Sequence, residues 1–402
     1  MVRTRNYGLG LLAVDYQERI QFDRMRWERM ERAQAAVEQA GVELLCLFRE
    51  ENIRYLTSYR TLGMPYTSFG IRGAVLLPRG AQLVFYCFDW EEVERTCPWA
   101  RDWLPHPFVS TIGIGSVSGA KSWLEDGQAR LSRLGITPQR IGVDALTGAM
   151  KEALGLVFPQ AELVDGQAIL AQAQMVKTQD EVRCLENSGA ITLAGLQAAR
   201  EALRPGSREC EVQAAAYQAM TALGAEWTWG PGTVCSFTAP FRGYTSDRLL
   251  QGGEPVIVEV GARYAGYYTV VARTWVAGQG TGRRFQELHT RAAQALGAAK
   301  EALRPGATTR DVVEAARPWM TGDSLGHGIG ISAVELPLLG TFPGGGSTAG
   351  EAVPLQPGAV LYLAPYVGEP EVGGVKLGDT VLVTEEGCET LTLYPLEGES
   401  WE

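Results

Sequence analysis

The 402-residue sequence predicts an α/β (α+β) chain built of two domains. Three observations carry this. Apolar runs of strand length alternate with amphipathic helical stretches as far as Asp165. A nine-residue string then recurs, AAREALRPG at 198–206 and AAKEALRPG at 298–306, identical at eight of nine positions. Between and after the two copies lie apolar strands rich in glycine and aromatic residues. Residues 1–168 form the first domain in this reading and 169–402 the second.

The elements follow in order. Residues 25–40 make a charged amphipathic helix closed by Gly41, and 42–48 a strand. Residues 73–77 and 82–88 are two strands joined at Pro78-Arg79-Gly80. A helix over 120–134 and a short strand over 140–143 complete the first domain. Residues 175–203 read as one long helix that opens with Lys177 and the acidic pair Asp180-Glu181 and stops at Arg204-Pro205-Gly206. Each copy of the nine-residue string is followed by a second amphipathic helix, so helix, Pro-Gly stop and helix occur twice, 100 residues apart. Solenoids repeat at about 20–50 residues, so the pattern is that of a duplicated half-domain with a pseudo-twofold and a cleft between the halves.

Composition narrows function. The net charge is −10, which disfavours a phosphate backbone as partner. The seven cysteines are scattered without a CxxC pair, so they frame neither a zinc site nor a disulfide scaffold and suit a reducing cytoplasm. No apolar run reaches the ~18 residues of a membrane span, and the amino terminus makes a poor signal peptide. Only three histidines exist. His106 reads as a loop residue and His289 as the surface of a helix, which leaves His327, between Gly326 and Gly328, as the candidate for proton transfer. Glu259 lies in the apolar strand VIVEVG, where a bare charge is expensive, so it must be paired, with Arg273 or Arg242, or face a cavity. Cys235 reads as a small buried thiol.

Four stretches, VIVEVGARYAGYYTVVARTWV, SLGHGIGI, VLYLAPYV and KLGDTVLV, resemble in order and spacing the creatinase/prolidase superfamily of pita-bread enzymes. MVKTQDEVRCLENSGAIT at the domain junction and ENIRYLTSY in the first domain extend the resemblance over nearly the whole chain. It implies a creatinase-type first domain and a pita-bread second domain. In the metallopeptidases of that superfamily, Asp, Asp, His, Glu and Glu hold two metal ions. Their positions fall here on Glu259, Val270, His327, Ala364 and Gly378, and a second peptidase histidine falls on Val334, beside Glu335. Hard divalent cations want several carboxylate oxygens, so this set predicts no dinuclear centre and no cofactor, with a single adventitious ion at Glu259 and His327 as the alternative.

Creatinase, a relative that needs no metal, is resembled by Glu226-Trp227-Thr228-Trp229, by Gly266-Tyr267-Tyr268-Thr269 with Arg273-Thr274, and by Tyr66 to Gly70 followed by Arg72. Creatinase's own catalytic groups fall on Phe241-Arg242, Ala272 and Ala364, so creatine is not the expected substrate. The resulting expectation is a metal-independent hydrolase or lyase acting on a small nitrogen-containing carboxylate. His327 would move the proton with Glu259 setting its pKa, and Arg242, Arg273, Tyr268, Glu335, Phe69 and Arg72 would contact the ligand. A non-catalytic receptor or scaffold and a metal-dependent Xaa-Pro dipeptidase stand as alternatives. The resemblance further implies a homodimer in which each first domain covers the other chain's cleft.

Overall fold

The computed structural model describes residues 20–60, 73–81, 84–87, 93, 103–105, 116–228, 232–280, 282–341 and 352–396. The first domain is a six-stranded mixed sheet between helices. Its strands are β1 (Leu44–Leu47), β2 (Gly73–Pro78), β3 (Val84–Cys87), β4 (Trp103–Pro105), β5 (Arg140–Val143) and β6 (Glu162–Asp165), ordered β4-β3-β2-β1-β5-β6. Successive side chains of a strand face opposite ways, and β1 uses both faces. Leu45 and Leu47 join Met25 and Ala33 of helix α1 (Phe22–Gln39), whereas Leu44 and Cys46 pack with Trp123 of α3 (Val117–Arg133) and Leu154 of α4 (Gly148–Val157). Helix α2 (Glu50–Thr57) follows β1 and faces the second domain.

The predicted single helix over 175–203 is two helices. Helix α5 (Gly166–Met175) ends, Val176 bridges to Ala359, and α6 (Gln179–Ala202) restarts. The restart is a capping box, in which Thr178 accepts from the Glu181 amide and Glu181 accepts from the Thr178 amide. The acidic pair thus serves the helix start.

In the second domain the duplication is visible bond by bond. Helices α6 and α7 (Glu209–Ala222) flank one copy of the string, and α8 (Arg283–Ala302) and α9 (Thr309–Ala316) the other. Gly206 and Gly306 both take φ +85°, the left-handed turn that glycine enters without a Cβ penalty. The Gly206 amide donates to Leu250 O and the Leu250 amide to Ser207 O; Gly306, Leu355 and Ala307 repeat the pair of bonds.

The first half packs α6 and α7 on a three-stranded sheet of β7 (Thr233–Cys235), β8 (Pro255–Tyr264) and β9 (Tyr267–Val276). The second half packs α8 and α9 on the strands β10 (Gly326–Gly328), β11 (Glu335–Leu339), β12 (Val360–Leu363), β15 (Asp379–Val383) and β16 (Cys388–Thr390), ordered β11-β10-β12-β15-β16. A hairpin of β13 (Tyr366–Glu369) and β14 (Gly373–Lys376) lies beside them. Ala272 of β9 and Gly378 exchange two backbone bonds, which joins the two halves at the floor between them.

The domains are locked by ion pairs. Arg54 of α2 grips Glu226 with two bonds of 2.8 Å, Arg263 of β8 reaches Glu50 at 2.8 Å, and Arg24 of α1 forks onto Asp180. Arg29, also on α1, meets the Tyr267 hydroxyl, which donates to Glu181. Among the described residues no helix is long and apolar enough to cross a membrane.

Candidate functional site

Glu259 lies in the middle of β8, paired with Ala272 of β9, and is 1 % exposed. Its carboxylate accepts the Tyr362 hydroxyl at 2.5 Å and the Lys376 ammonium at 2.6 Å. Tyr362 is on β12 and Lys376 ends β14, so both bonds cross from the second half to the first. His327 is directly opposite Tyr362 in the β10–β12 register, and their rings lie 5.6 Å apart. Its Nδ1 is 2.8 Å from the Gly328 carbonyl, a contact that places the proton on Nδ1 and makes Nε2 the acceptor of the neutral ring. Burial lowers the His327 pKa; the Gly328 carbonyl opposes this, Lys376 adds to it and Glu259 opposes, and the net shift is down. Burial and then Glu259 hold the Tyr362 phenol well above its ordinary value, so it remains a donor. The arrangement is a buried acid with two donors, beside a neutral imidazole.

Residues 29–176 match the creatinase/prolidase N-terminal domain, and residues 183–385 match metallopeptidase family M24. The chain belongs to metallopeptidase family M24. Over 316 residues it is 31 % identical to a protein described as the probable dipeptidase PepE of Mycobacterium tuberculosis, a match covering 75 % of this chain and 76 % of that one. It is 30 % identical over 234 residues to an Xaa-Pro dipeptidase of Pyrococcus furiosus, covering 56 % of this chain and 65 % of the relative, so just under two thirds of that protein's length is spanned. Among solved structures it resembles an Xaa-Pro dipeptidase from Bacillus anthracis, with a TM-score of 0.77 at 24 % identity over 92 % of this chain and 99 % of that one. That likeness is one of fold, and it agrees with the creatinase-type and pita-bread domains expected from the sequence.

At the positions that the sequence resemblance assigns to metal ligands, Glu259 and His327 carry donors, whereas Val270, Ala364 and Gly378 have none in their side chains. A Cβ added at Gly378 would lie 2.6 Å from the Tyr362 hydroxyl oxygen, so the phenol fills the space a side chain there would enter. Among the described residues no group of three or more His, Cys, Asp or Glu side chains is placed to hold a metal ion. The five positions that the resemblance assigns to metal ligands thus supply one carboxylate and one imidazole.

Several expected ligand contacts are placed otherwise. Arg273 is fully buried, and its five N–H groups end on Pro395 O, Ala272 O, Gly378 O, Tyr394 O and the Asp379 carboxylate. The reason is strand parity, because Arg273 pairs with Val258 on the face opposite the one that Glu259 and Ala272 share. Arg242 is ion-paired to Glu209, a fully buried carboxylate that also holds Ser236 and Ser246, and it stacks on Tyr244. Neither arginine pairs with Glu259; Lys376 does.

Glu335 is held at 2.6 Å by Lys177 and at 2.9 Å by the Ser332 amide, as a buried pair at the domain junction. Tyr268 is fully buried beneath the Arg263 guanidinium, and its amide donates to Gly330 O. Phe69 and Arg72 lie outside the described residues, as does His106. His289 is buried rather than superficial, with Nε2 3.1 Å from Leu396 O. Cys235 is a packing thiol, its pKa raised by burial.

The residues that sequence reasoning missed are Tyr362 and Lys376. Both stand in stretches already singled out, VLYLAPYV and KLGDT. Each lies two residues before a position that was read for a metal ligand.

Proposed function

We propose that this M24 protein is a metal-independent hydrolase or lyase acting on a small nitrogen-containing carboxylate. The observation that carries the reading is the bonding of Glu259. Where the family's metallopeptidases hold cations with this acid, a lysine ammonium and a phenol hold it here. A carboxylate already charge-matched at 2.6 Å gains little from a further cation, and three of the five family positions supply no donor. His327 has the features of a general base, with a neutral ring, one nitrogen fixed by a carbonyl and the other an acceptor. Glu259 and Tyr362 position it rather than touch the substrate.

The test is turnover of EDTA-treated protein on a panel of N-acyl, N-amidino and Xaa-Pro carboxylates. Turnover that survives EDTA and disappears in His327→Ala supports the reading. Relatives described as dipeptidases favour a second reading, a metal-dependent Xaa-Pro dipeptidase. Xaa-Pro cleavage that appears only with Mn²⁺ establishes that one instead. Ligand binding with no turnover in wild type or variant assigns the chain to the receptors and scaffolds. We also propose a cytoplasmic homodimer in which the segment 66–72 of one chain, with Phe69 and Arg72, completes the other's site. A sedimenting mass of 43.6 kDa, that of one chain, would remove this assembly.

A further inference from the structure

We propose that the Lys376 ammonium is the charge that receives the carboxylate of this site's ligand, in place of the arginines. The proposal rests on the reading that the site takes small carboxylates without a dinuclear centre, and it names the residue that binds them.

The geometry separates Lys376 from the other cations nearby. An ammonium has three N–H donors. One is spent on Glu259, and among the described residues the remaining contact of the ammonium is the face of Phe241, 5.0 Å to the ring centroid. The Lys376 side chain is 16 % exposed while that of Glu259 is 1 % exposed, so the cation is the end of the pair that solvent and a ligand can reach. Glu259 keeps the Tyr362 hydroxyl at 2.5 Å whichever way the ammonium turns, so the acid does not need all of the lysine.

The alternatives are engaged. Arg242 is held by Glu209, Arg248 by Glu254, Arg263 by Glu50, Lys177 by Glu335, and Arg273 by Asp379 and four carbonyls. Beside the ammonium, Phe241 and Tyr366 lie with ring centroids 6.0 Å apart and offer an apolar flank. A carboxylate on two charged N–H donors with a compact apolar body against these rings is the ligand chemistry that fits. An ion pair that merely neutralised Glu259 would present the same 2.6 Å contact, so the test must separate anion capture from structure.

The probe is sodium acetate, the smallest carboxylate, against sodium chloride of equal ionic strength, with EDTA-treated full-length protein. At 100 mM, acetate is expected to raise the wild-type melting temperature about 1–2 °C above chloride. Lys376→Met loses that increment and binds acetate about ten-fold more weakly by calorimetry. Lys376→Arg retains it. Glu259→Gln enlarges it, because the competing carboxylate is gone, and this variant carries the test if Lys376→Met fails to fold. An acetate increment equal in wild type and Lys376→Met overturns the proposal. So does the absence of any increment in the wild type, or its loss in Glu259→Gln. Acetate binding is read without turnover, so these results stand apart from the EDTA and His327→Ala outcomes.

Discussion

Arg273 and Glu209 are buried charges whose partners are all protein groups, and at this scale the cost of losing one partner dominates. Arg273→Ala removes five donors and leaves Asp379 with Lys300 alone, so unfolding in denaturant should show a loss of about 3–5 kcal/mol. Lysine cannot reproduce the fork, so Arg273→Lys should recover only part of it.

Glu209 carries a pH signature. Burial pushes its pKa up, but bonds from the Ser236 and Ser246 side chains and backbones outweigh it, and the net shift is below the ordinary 4.5. The groups facing it are Ser236, Ser246 and the Arg242 guanidinium. Because the unfolded chain takes up the proton first on acidification, this stability is complete above 4.5 and is lost as pH falls through the lowered folded value. Glu209→Gln should therefore unfold more readily at pH 7, by about 3 kcal/mol, and lose less on going to pH 3 than wild type does. Melting curves at the two pH values check both parts.

Legibility at this scale followed strand parity. Glu259 and His327 stood out because a lone acid in an apolar strand and a histidine among glycines are visible in one line of sequence. Arg273 carries the same visibility but the opposite parity to Glu259's partner, and Arg242 was unreadable because Glu209 lies 33 residues upstream.

Among the elements, the duplicated Pro-Gly loops offer a clean experiment. A Cβ at Gly206 or Gly306 meets nothing within 4 Å, so alanine there introduces only the strain of φ +85°. Each substitution should cost about 1–2 kcal/mol, and the two should cost nearly the same because the flanking bonds correspond. A difference above 1 kcal/mol between the two would mean that the halves hold their loops differently.

Gly378→Ala tests a crowded position instead. The new methyl would press on the Tyr362 hydroxyl, so the phenol must leave Glu259, and tyrosine absorbance should titrate closer to its free value. The sequence carried the repeat plainly, since eight of nine residues match. The break between α5 and α6 was also written there, as Thr178-x-x-Glu181, but the unbroken amphipathic pattern on either side concealed it. Strand β4 was not anticipated, because three residues ending in proline carry too little pattern.

On the scale of the whole molecule, the family and both domains were legible because they rest on strings spread along the chain, whereas the junction was not. It is built from pairs separated by 156 to 238 residues, such as Arg24 with Asp180 and Arg29 with Tyr267, which no local window contains. Glu226→Ala leaves the Arg54 guanidinium, 8 % exposed, without its two-pronged partner. The expected loss is about 3 kcal/mol, read as an earlier cooperative unfolding step in urea.

The same junction sets terms for anyone who would dissect or recombine this protein. Expressed alone, residues 169–402 would meet solvent with Asp180 and Glu226 stripped of their arginines and with the Tyr267 hydroxyl stripped of Arg29. The excised half is then expected to be sticky and short-lived, and its inactivity would say nothing about chemistry. A chimera that borrows its first domain from a relative inherits the same obligation. The graft must bring cations matching positions 24, 29 and 54 and an acid matching position 50, or the acceptor's acids must be neutralised to suit.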